Sequence, residues 1–479
     1  MIGKRTNLKN IINEIKNNKM KILYYNWTPL HVPRIGGGVA VYLENLINSF
    51  KSTGVTVLTS GYYYDKVGEP YIRKVEDATI SNSFVLVNSP MPAPLGIVPS
   101  SVLKDIMEDT KCKDVFNKFV EEHGPFDVIH FQTLEGISPN VLSLKEKYPN
   151  TKFLHSIHDY GLFCPNVKFW KFGGVNCVTD DKPDNCWQCM LSSESIPLKK
   201  YLLNRSKQDN TLDKFLFRLQ WNVSRKLKKL FTKCSAIKLH NDIYHSYREY
   251  CVDNINKYID VDLAVSNRVK EIAIQYGIKP SIVKVSYIGT KVADNALGHN
   301  LNQFDGYHLT LLYMGYADKA KGFDFLVDAL GSVKDEIASN VTLKFASKMG
   351  SNSKCLLNSI RPKYKEIVIY DGYTHADFPE IFKGVNLGVV PPMWEDNLPQ
   401  VTIEMIANGI PVITSNNGGA KELNSHPSFV FYSKSDFINK FETIFKNPSI
   451  LNDYWNYSTK LTTMEKHINQ LNEIYSSCK

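Results

Sequence analysis

No stretch of about 20 uninterrupted apolar residues occurs in the chain, so the sequence offers no membrane-spanning helix. Positions 1–20 are rich in Lys and Asn and lack the apolar centre of a secretory signal. They read as a short charged helix ahead of the first strand, with Met20 as an alternative start. The dinucleotide fingerprint G-x-G-x-x-G is missing: after Gly36, Gly37 and Gly38, Val39 and Tyr42 stand where its later glycines would fall. Short repeats and low-complexity tracts are absent, which excludes a solenoid. Cysteine is sparse and odd in number, nine in 479 residues, which argues against a secreted disulfide scaffold and for a reducing compartment. The net charge of +9 is too small to suggest a nucleic-acid partner.

What is present suits a soluble protein of two or three domains, with 43% apolar and 22% charged residues. Residues 21–27 form a short apolar run, followed by a loop ending in the three glycines and an amphipathic helix over 39–50. Strand, glycine turn and helix open a Rossmann-like unit. Further strands are expected at 55–58, 84–87, 128–131, 153–157, 237–239, 263–265 and 283–287, each short and rich in β-branched or aromatic residues. A polar stretch at 291–307 reads as a linker, and a second unit repeats the pattern from 309–314 with strands at 341–345, 367–370, 387–390 and 411–414. Apolar spacing predicts a helix over 452–479.

The segment 391–419, PPMWEDNLPQVTIEMIANGIPVITSNNGG, carries the strongest chemistry. Asp396 lies eight positions before Glu404, and Asn397, Leu398 and Pro399 sit where a helix begins, leaving its first amides to point at an anion. Glu404 on that helix is able to accept ribose hydroxyls. The plainer alternative is an N-cap and an exposed helix carboxylate. His158 and Asp159 end one strand, at the edge where doubly wound sheets bind ligands, and His130 ends another. Residues 314–326 place Tyr316, Lys319 and Lys321-Gly322 after a strand.

Asp396, Glu404, Gly409, Pro411, Val412, Gly418 and Gly419 resemble the signature of the family 4 retaining glycosyltransferases, in particular those of bacterial surface polysaccharide biosynthesis. Asp stands where Glu is usual, and Glu395 is the adjacent alternative. The glycine loop, His158-Asp159 and Lys321-Gly322 are similar to other motifs of that family, and Tyr316 occupies the place of its arginine. The resemblance implies an α/β GT-B fold of two Rossmann-like, doubly wound domains facing across a cleft. The acceptor-side domain is expected over 1–295 with an insertion at about 164–230, the nucleotide-sugar domain over 305–451, and a helix at 452–479 packing back on the first domain.

By the same resemblance, His158, Lys321, Asp396 and Glu404 are the catalytic set, and Gly37, Gly38, Tyr316, Asn397, Leu398 and Pro399 bind the donor. The implied reaction is retaining transfer from a nucleotide-sugar to a glycan or lipid-linked glycan, with no catalytic metal or other cofactor, no enzymic nucleophile, and no Asp-x-Asp in a suitable place. A non-catalytic partner subunit, favoured by Tyr316, and a sugar-nucleotide epimerase are the alternatives. A nicotinamide dehydrogenase is disfavoured by the missing fingerprint.

Two features lie outside the resemblance. Cys164, Cys177, Cys186 and Cys189 suit either a structural zinc or four reduced thiols in a packed loop. Between Lys199 and Lys233 basic residues far outnumber Asp209 and Asp213 and alternate with Trp221 and several Phe and Leu residues. That pattern suits either a solvated face or a helix lying on an anionic membrane surface. The expected location is cytoplasmic, peripheral on the cytoplasmic face of the inner membrane.

Overall fold

The computed structural model describes residues 20–30, 37–50, 54–65, 68–75, 80–90, 100–171, 174–178, 186 and 241–477. Two parallel sheets dominate it. The first sheet contains β1 (Ile22–Asn26), β2 (Val55–Thr59), β3 (Tyr71–Lys74), β4 (Ser83–Val87), β5 (Val128–Phe131), β6 (Lys152–Ile157), β9 (Val261–Ala264) and β10 (Val283–Val285), in the order β10-β9-β6-β5-β1-β2-β4-β3. A small hairpin, β7 (Trp170–Lys171) and β8 (Val175–Asn176), stands apart. In the second sheet β11 (Leu309–Met314), β12 (Val341–Ala346), β13 (Glu366–Tyr370), β14 (Leu387–Val390), β15 (Val412–Ser415) and β16 (Val430–Phe431) run β13-β12-β11-β14-β15-β16, all parallel.

The second order is that of a doubly wound nucleotide fold, whose ligand crevice opens where the winding reverses, here between β11 and β14. In the first sheet the corresponding reversal lies between β1 and β5. Central strands such as ILYYN of β1 and LTLLYM of β11 are buried throughout because helices cover both faces. β3 escapes sequence reasoning because its YIRK is an exposed antiparallel edge, and β16 because it is two residues long. The strand expected at 237–239 lies outside the described residues.

The helix expected over 452–479 is shorter than its apolar spacing suggests. Residues 457–463 run without helix, bridging to Asn424 and Thr290, and only α10 (Met464–Ser476) is a long helix. Thr463 caps its start by accepting from the Lys466 amide. α10 lies against α1 (Gly38–Ser49) of the first sheet, where the Tyr475 hydroxyl meets Tyr24 at 3.0 Å and His130 Nδ1 at 2.7 Å. Tyr42 of α1 bonds His467 Nε2 at 2.6 Å, and the buried Lys152 ammonium donates to the Ile474 carbonyl at 2.6 Å, where the dipole of the helix end favours a cation. A chain that leaves the second sheet is thus pinned through buried polar contacts to the first.

The imidazoles in these contacts are buried, which disfavours their charged form. Burial holds His130 well below its ordinary pKa and lowers His467 to about 4. Between that value and the unfolded 6.5 the unfolded chain takes up a proton that the fold refuses, so stability rises with pH across this window. The carboxyls of Glu135 and Asp159, raised by burial, act with the opposite sign, so a variant comparison is needed. Replacing His467 by Gln, which preserves a hydrogen-bonding group for Tyr42, is expected to remove about 2 kcal/mol of the stability lost between pH 7 and pH 5. Denaturation of both proteins at the two pH values checks this; equal losses would refute it.

Candidate active site between the two sheets

The carboxyl ends of both sheets face one cleft of about 770 Å³. From the first sheet, α1 brings Gly37 and Gly38 to its wall, and the end of β6 brings His158. Gly36 lies outside the described residues. His158 donates from Nε2 to Gln132 Oε1 at 2.9 Å, with the Tyr42 ring 5.2 Å away. Desolvation, and then the nearby imidazoles of His155 and His467, lower its pKa to about 3. It therefore presents a neutral ring to the cleft, able to hydrogen-bond but not to act as a cation. His130, considered at the end of β5, is fully buried and belongs to the contact with α10.

From the second sheet, the loop after β11 carries Lys321. Its amide is fixed by Asp318 Oδ1 at 2.8 Å, and its ammonium meets Asp396 Oδ2 at 2.5 Å and the Trp394 ring at 5.0 Å. The next residue, Gly322, has φ +79° and lies so close to the Pro391 carbonyl that a Cβ would overlap it. Glycine here lets the lysine loop and the loop after β14 touch. Tyr316 also lines the cleft, 65% exposed, with its carbonyl accepting from the Tyr313 hydroxyl at 2.6 Å.

The loop 391–399 crosses to the other domain. Asn397 offers its carbonyl to Ser266 Oγ at 2.9 Å, while Leu398 and Pro399 lead into α8 (Gln400–Ala407). Pro399 provides no side-chain cap, and Gln400 donates from its side chain across the cleft to the Gly38 carbonyl at 2.8 Å. One turn further along α8, Glu404 faces the cleft and accepts from His375 Nε2 at 2.9 Å. That hydrogen bond is the main cause of a raised His375 pKa.

Asp396 and Glu395 are separated by one peptide bond and do different things. Asp396 lines the cleft, whereas Glu395 does not and is buried at the domain junction. Arg268, from α5 (Asn267–Gln275) of the first domain, grips Glu395 bidentately at 2.9 and 3.0 Å, and the Gly418 amide and Asn176 add 2.9 and 3.1 Å contacts. Burial pushes the Glu395 carboxyl up, but Arg268, Gly418 and Asn176 outweigh it and hold the carboxyl below its usual range. Glu422 of the second domain accepts from the first amides of α5, Asn267 at 2.9 Å and Arg268 at 2.7 Å. The oxygens of Glu395, the adjacent alternative in the sequence, are thus taken by Arg268, Gly418 and Asn176.

Sequence reasoning missed Gln132, His375, Gln400 and the Arg268–Glu395 pair. Their partners are 26 to 362 residues away in the chain, so the only available signal was position at a strand's carboxyl end, which His375 and Gln132 share.

Of the cysteines, Cys164 and Cys177 are buried and Cys186 partly so; all three lie near Tyr276, and Arg248 reaches Cys186 Sγ at 3.5 Å. Cys189 and the basic segment 199–233 lie outside the described residues. Among the described residues no group of three or more His, Cys, Asp or Glu is arranged to hold a metal.

Residues 308–447 match the family model described as Glycosyl transferases group 1. A 42.6 kDa protein of the cps region of Klebsiella pneumoniae is 23% identical over 316 residues, 66% of this chain, and the chain spans only 63% of that relative's length. Among solved structures, the Anabaena protein HepE in complex with UDP aligns with TM-score 0.55 at 13% identity, covering 96% of this chain and 100% of its own. Sucrose-phosphate synthase from Thermosynechococcus elongatus aligns with TM-score 0.56 at 14% identity, covering 95% of this chain and 98% of its own. The fold is therefore GT-B.

The Arg268–Glu395 pair generates a stability test. Arg268→Met leaves a buried carboxylate without its cation and is expected to cost about 3 kcal/mol. Adding Glu395→Gln should recover part of that loss. Chemical denaturation measures both, and unchanged stability in Arg268→Met would show that the pair does not hold the junction.

Proposed function

We propose that this chain, whose second half carries a group 1 glycosyl transferase domain on a GT-B fold, is a retaining glycosyltransferase that uses a nucleotide-sugar donor. The observation that carries the reading is the grouping of Lys321, Asp396 and Glu404 at the reversal point of the second sheet. There the first amides of α8 and the Lys321 ammonium would neutralise charge growing on a departing diphosphate, in a cleft that limits competing water. Glu404 would accept the ribose hydroxyls, sharing or displacing its contact with His375. Asp396 orients Lys321 and would bind the donor sugar. His158, kept neutral, would hydrogen-bond the sugar from the opposite domain. Gly37 and Gly38 would let the donor approach the backbone of α1 closely, with Tyr316, Asn397, Leu398 and Pro399 completing the donor wall. Front-face attack, with the donor phosphate oxygen taking the acceptor proton, asks for no enzymic nucleophile. Lys321 and the helix amides then supply the charge stabilisation that a metal ion would otherwise provide.

The acceptor we propose is a glycan or a lipid-linked glycan of polysaccharide biosynthesis. Support comes from the relative in a cps region and from the basic, aromatic-rich sequence between Lys199 and Lys233, which suits the cytoplasmic face of an anionic membrane. No helix among the described residues is long and apolar enough to cross a membrane.

Lys321→Ala and Glu404→Ala are each expected to lower transfer about a hundredfold, the loss of about 3 kcal/mol typical of one such contact. Asp396→Ala should impair transfer strongly as well. Initial rates with the donor that most raises the thermal midpoint provide the measurement, and near-normal rates in the first two variants would overturn the site assignment. Separately, the wild-type chain should sediment with vesicles containing anionic lipid, less so at high salt. Changing Lys226, Lys228 and Lys229 to Glu should release it without unfolding. Wild-type protein that stays in the supernatant at low salt would end the membrane assignment.

A further inference from the structure

We propose that Lys348 is a second cation of the donor site and receives the diphosphate beside Lys321; the inference rests on the donor-site reading above. Lys348 lies just beyond β12, at the meeting point of three strand ends. Met314 of β11 is paired in register with Ala346 of β12, which is paired with Tyr370 of β13. Beyond these last pairs the backbones stay joined: the Gly315 amide donates to Ala346 at 3.2 Å, Ser347 to Tyr370 at 3.0 Å, and Gly372 to Ser347 at 3.3 Å. Both neighbours of Lys348 on the sheet edge, Tyr316 and Gly372, line the same cleft as Lys348 itself. The residue is therefore anchored by rigid backbone on either side while its own side chain is exposed.

Charge balance gives this position its meaning. The Lys321 ammonium is already neutralised by Asp396 at 2.5 Å, and Glu404 adds a further negative charge, met at 2.9 Å by His375. His158 is neutral for the reason given above. A diphosphate brings a negative charge on each phosphorus into this balance. Among the described residues, Lys348 is the lysine of the cleft lining that has no carboxylate within 4.0 Å. The nearby carboxylate, Asp371, is occupied: it takes the Lys354 ammonium at 2.7 Å and the Met349 amide at 2.9 Å. Tyr316, just beyond β11, supplies no charge. An ammonium carried on the ligand edge of the sheet, in the same cleft as the neutralised Lys321, is placed to meet an anion spanning the ends of β11 and β12.

The test is calorimetric titration of the wild type, Lys348→Met and Lys348→Arg with matched sets of nucleoside, nucleoside monophosphate and nucleoside diphosphate, in the uridine, guanosine, adenosine and cytidine series. For whichever series binds the wild type, Lys348→Met should weaken the diphosphate about tenfold or more, as for loss of one charge-assisted hydrogen bond. The nucleoside should be nearly unaffected, and Lys348→Arg should retain most of the diphosphate affinity. Equal weakening of nucleoside and diphosphate would assign Lys348 to the base and overturn the proposal, as would unchanged diphosphate binding in Lys348→Met. Failure of the wild type to bind a nucleoside diphosphate in all four series is a different result, because it removes the donor-site reading itself.

Discussion

The carboxylate of Glu395 is buried where the two sheets meet, and the guanidinium of Arg268 reaches across the junction to hold it in two hydrogen bonds. A carboxylate buried at this depth is tolerable only when its charge and lone pairs are met, and Arg268, Gly418 and Asn176 meet them. The residues around it depend on that arrangement. Gly418 lies so close to Asp396 that a Cβ would overlap the Asp396 backbone, and its φ of +72° belongs to glycine. The loop is thereby fixed on one side by the first domain and on the other by the turn after β15. With the loop fixed, Asp396 can aim at Lys321, and α8 can start at the cleft wall, which Gln400 and Val401 line.

A second set of buried polar contacts ties the first sheet to the C-terminal helix. Tyr24, Tyr42, His130 and Lys152 all take partners from α10, which follows the second sheet in sequence. The two domains are therefore joined both by loop 391–399 and by the C-terminal helix. Tyr42 belongs to both regions, bonding His467 on one side and lining the cleft beside His158 on the other. The position of the His158 ring consequently depends on packing that begins at the far end of the chain.

Most strands of both sheets were legible in the sequence because parallel strands covered on both faces must be apolar runs, and few other segments of this chain are. Exposure hid β3, whose alternation carries no apolar signal, and brevity hid β16. Apolar spacing overstated the last helix, because residues 457–463 run without helix and bridge to Asn424 and Thr290. Within the site, residues following a strand and a glycine could be singled out, as with Lys321. The contrast between Glu395 and Asp396 could not be, since it is decided by which way consecutive side chains leave one loop. His375 and Lys348 needed the sheet order, which brings the ends of β11, β12 and β13 side by side.

That Glu395 and Asp396 are consecutive has a thermodynamic consequence. In the proposed function Glu395 holds the domain junction while Asp396 meets the ligand of the cleft, and a single rigid peptide unit carries both. Anything that shifts the backbone at one must be felt at the other, and linkage makes the effect mutual: a ligand that favours the present pose of Asp396 strengthens domain apposition by the same free energy with which apposition strengthens the ligand. Covalent continuity at this single point supplies a reciprocity that elsewhere would need a chain of intermediates.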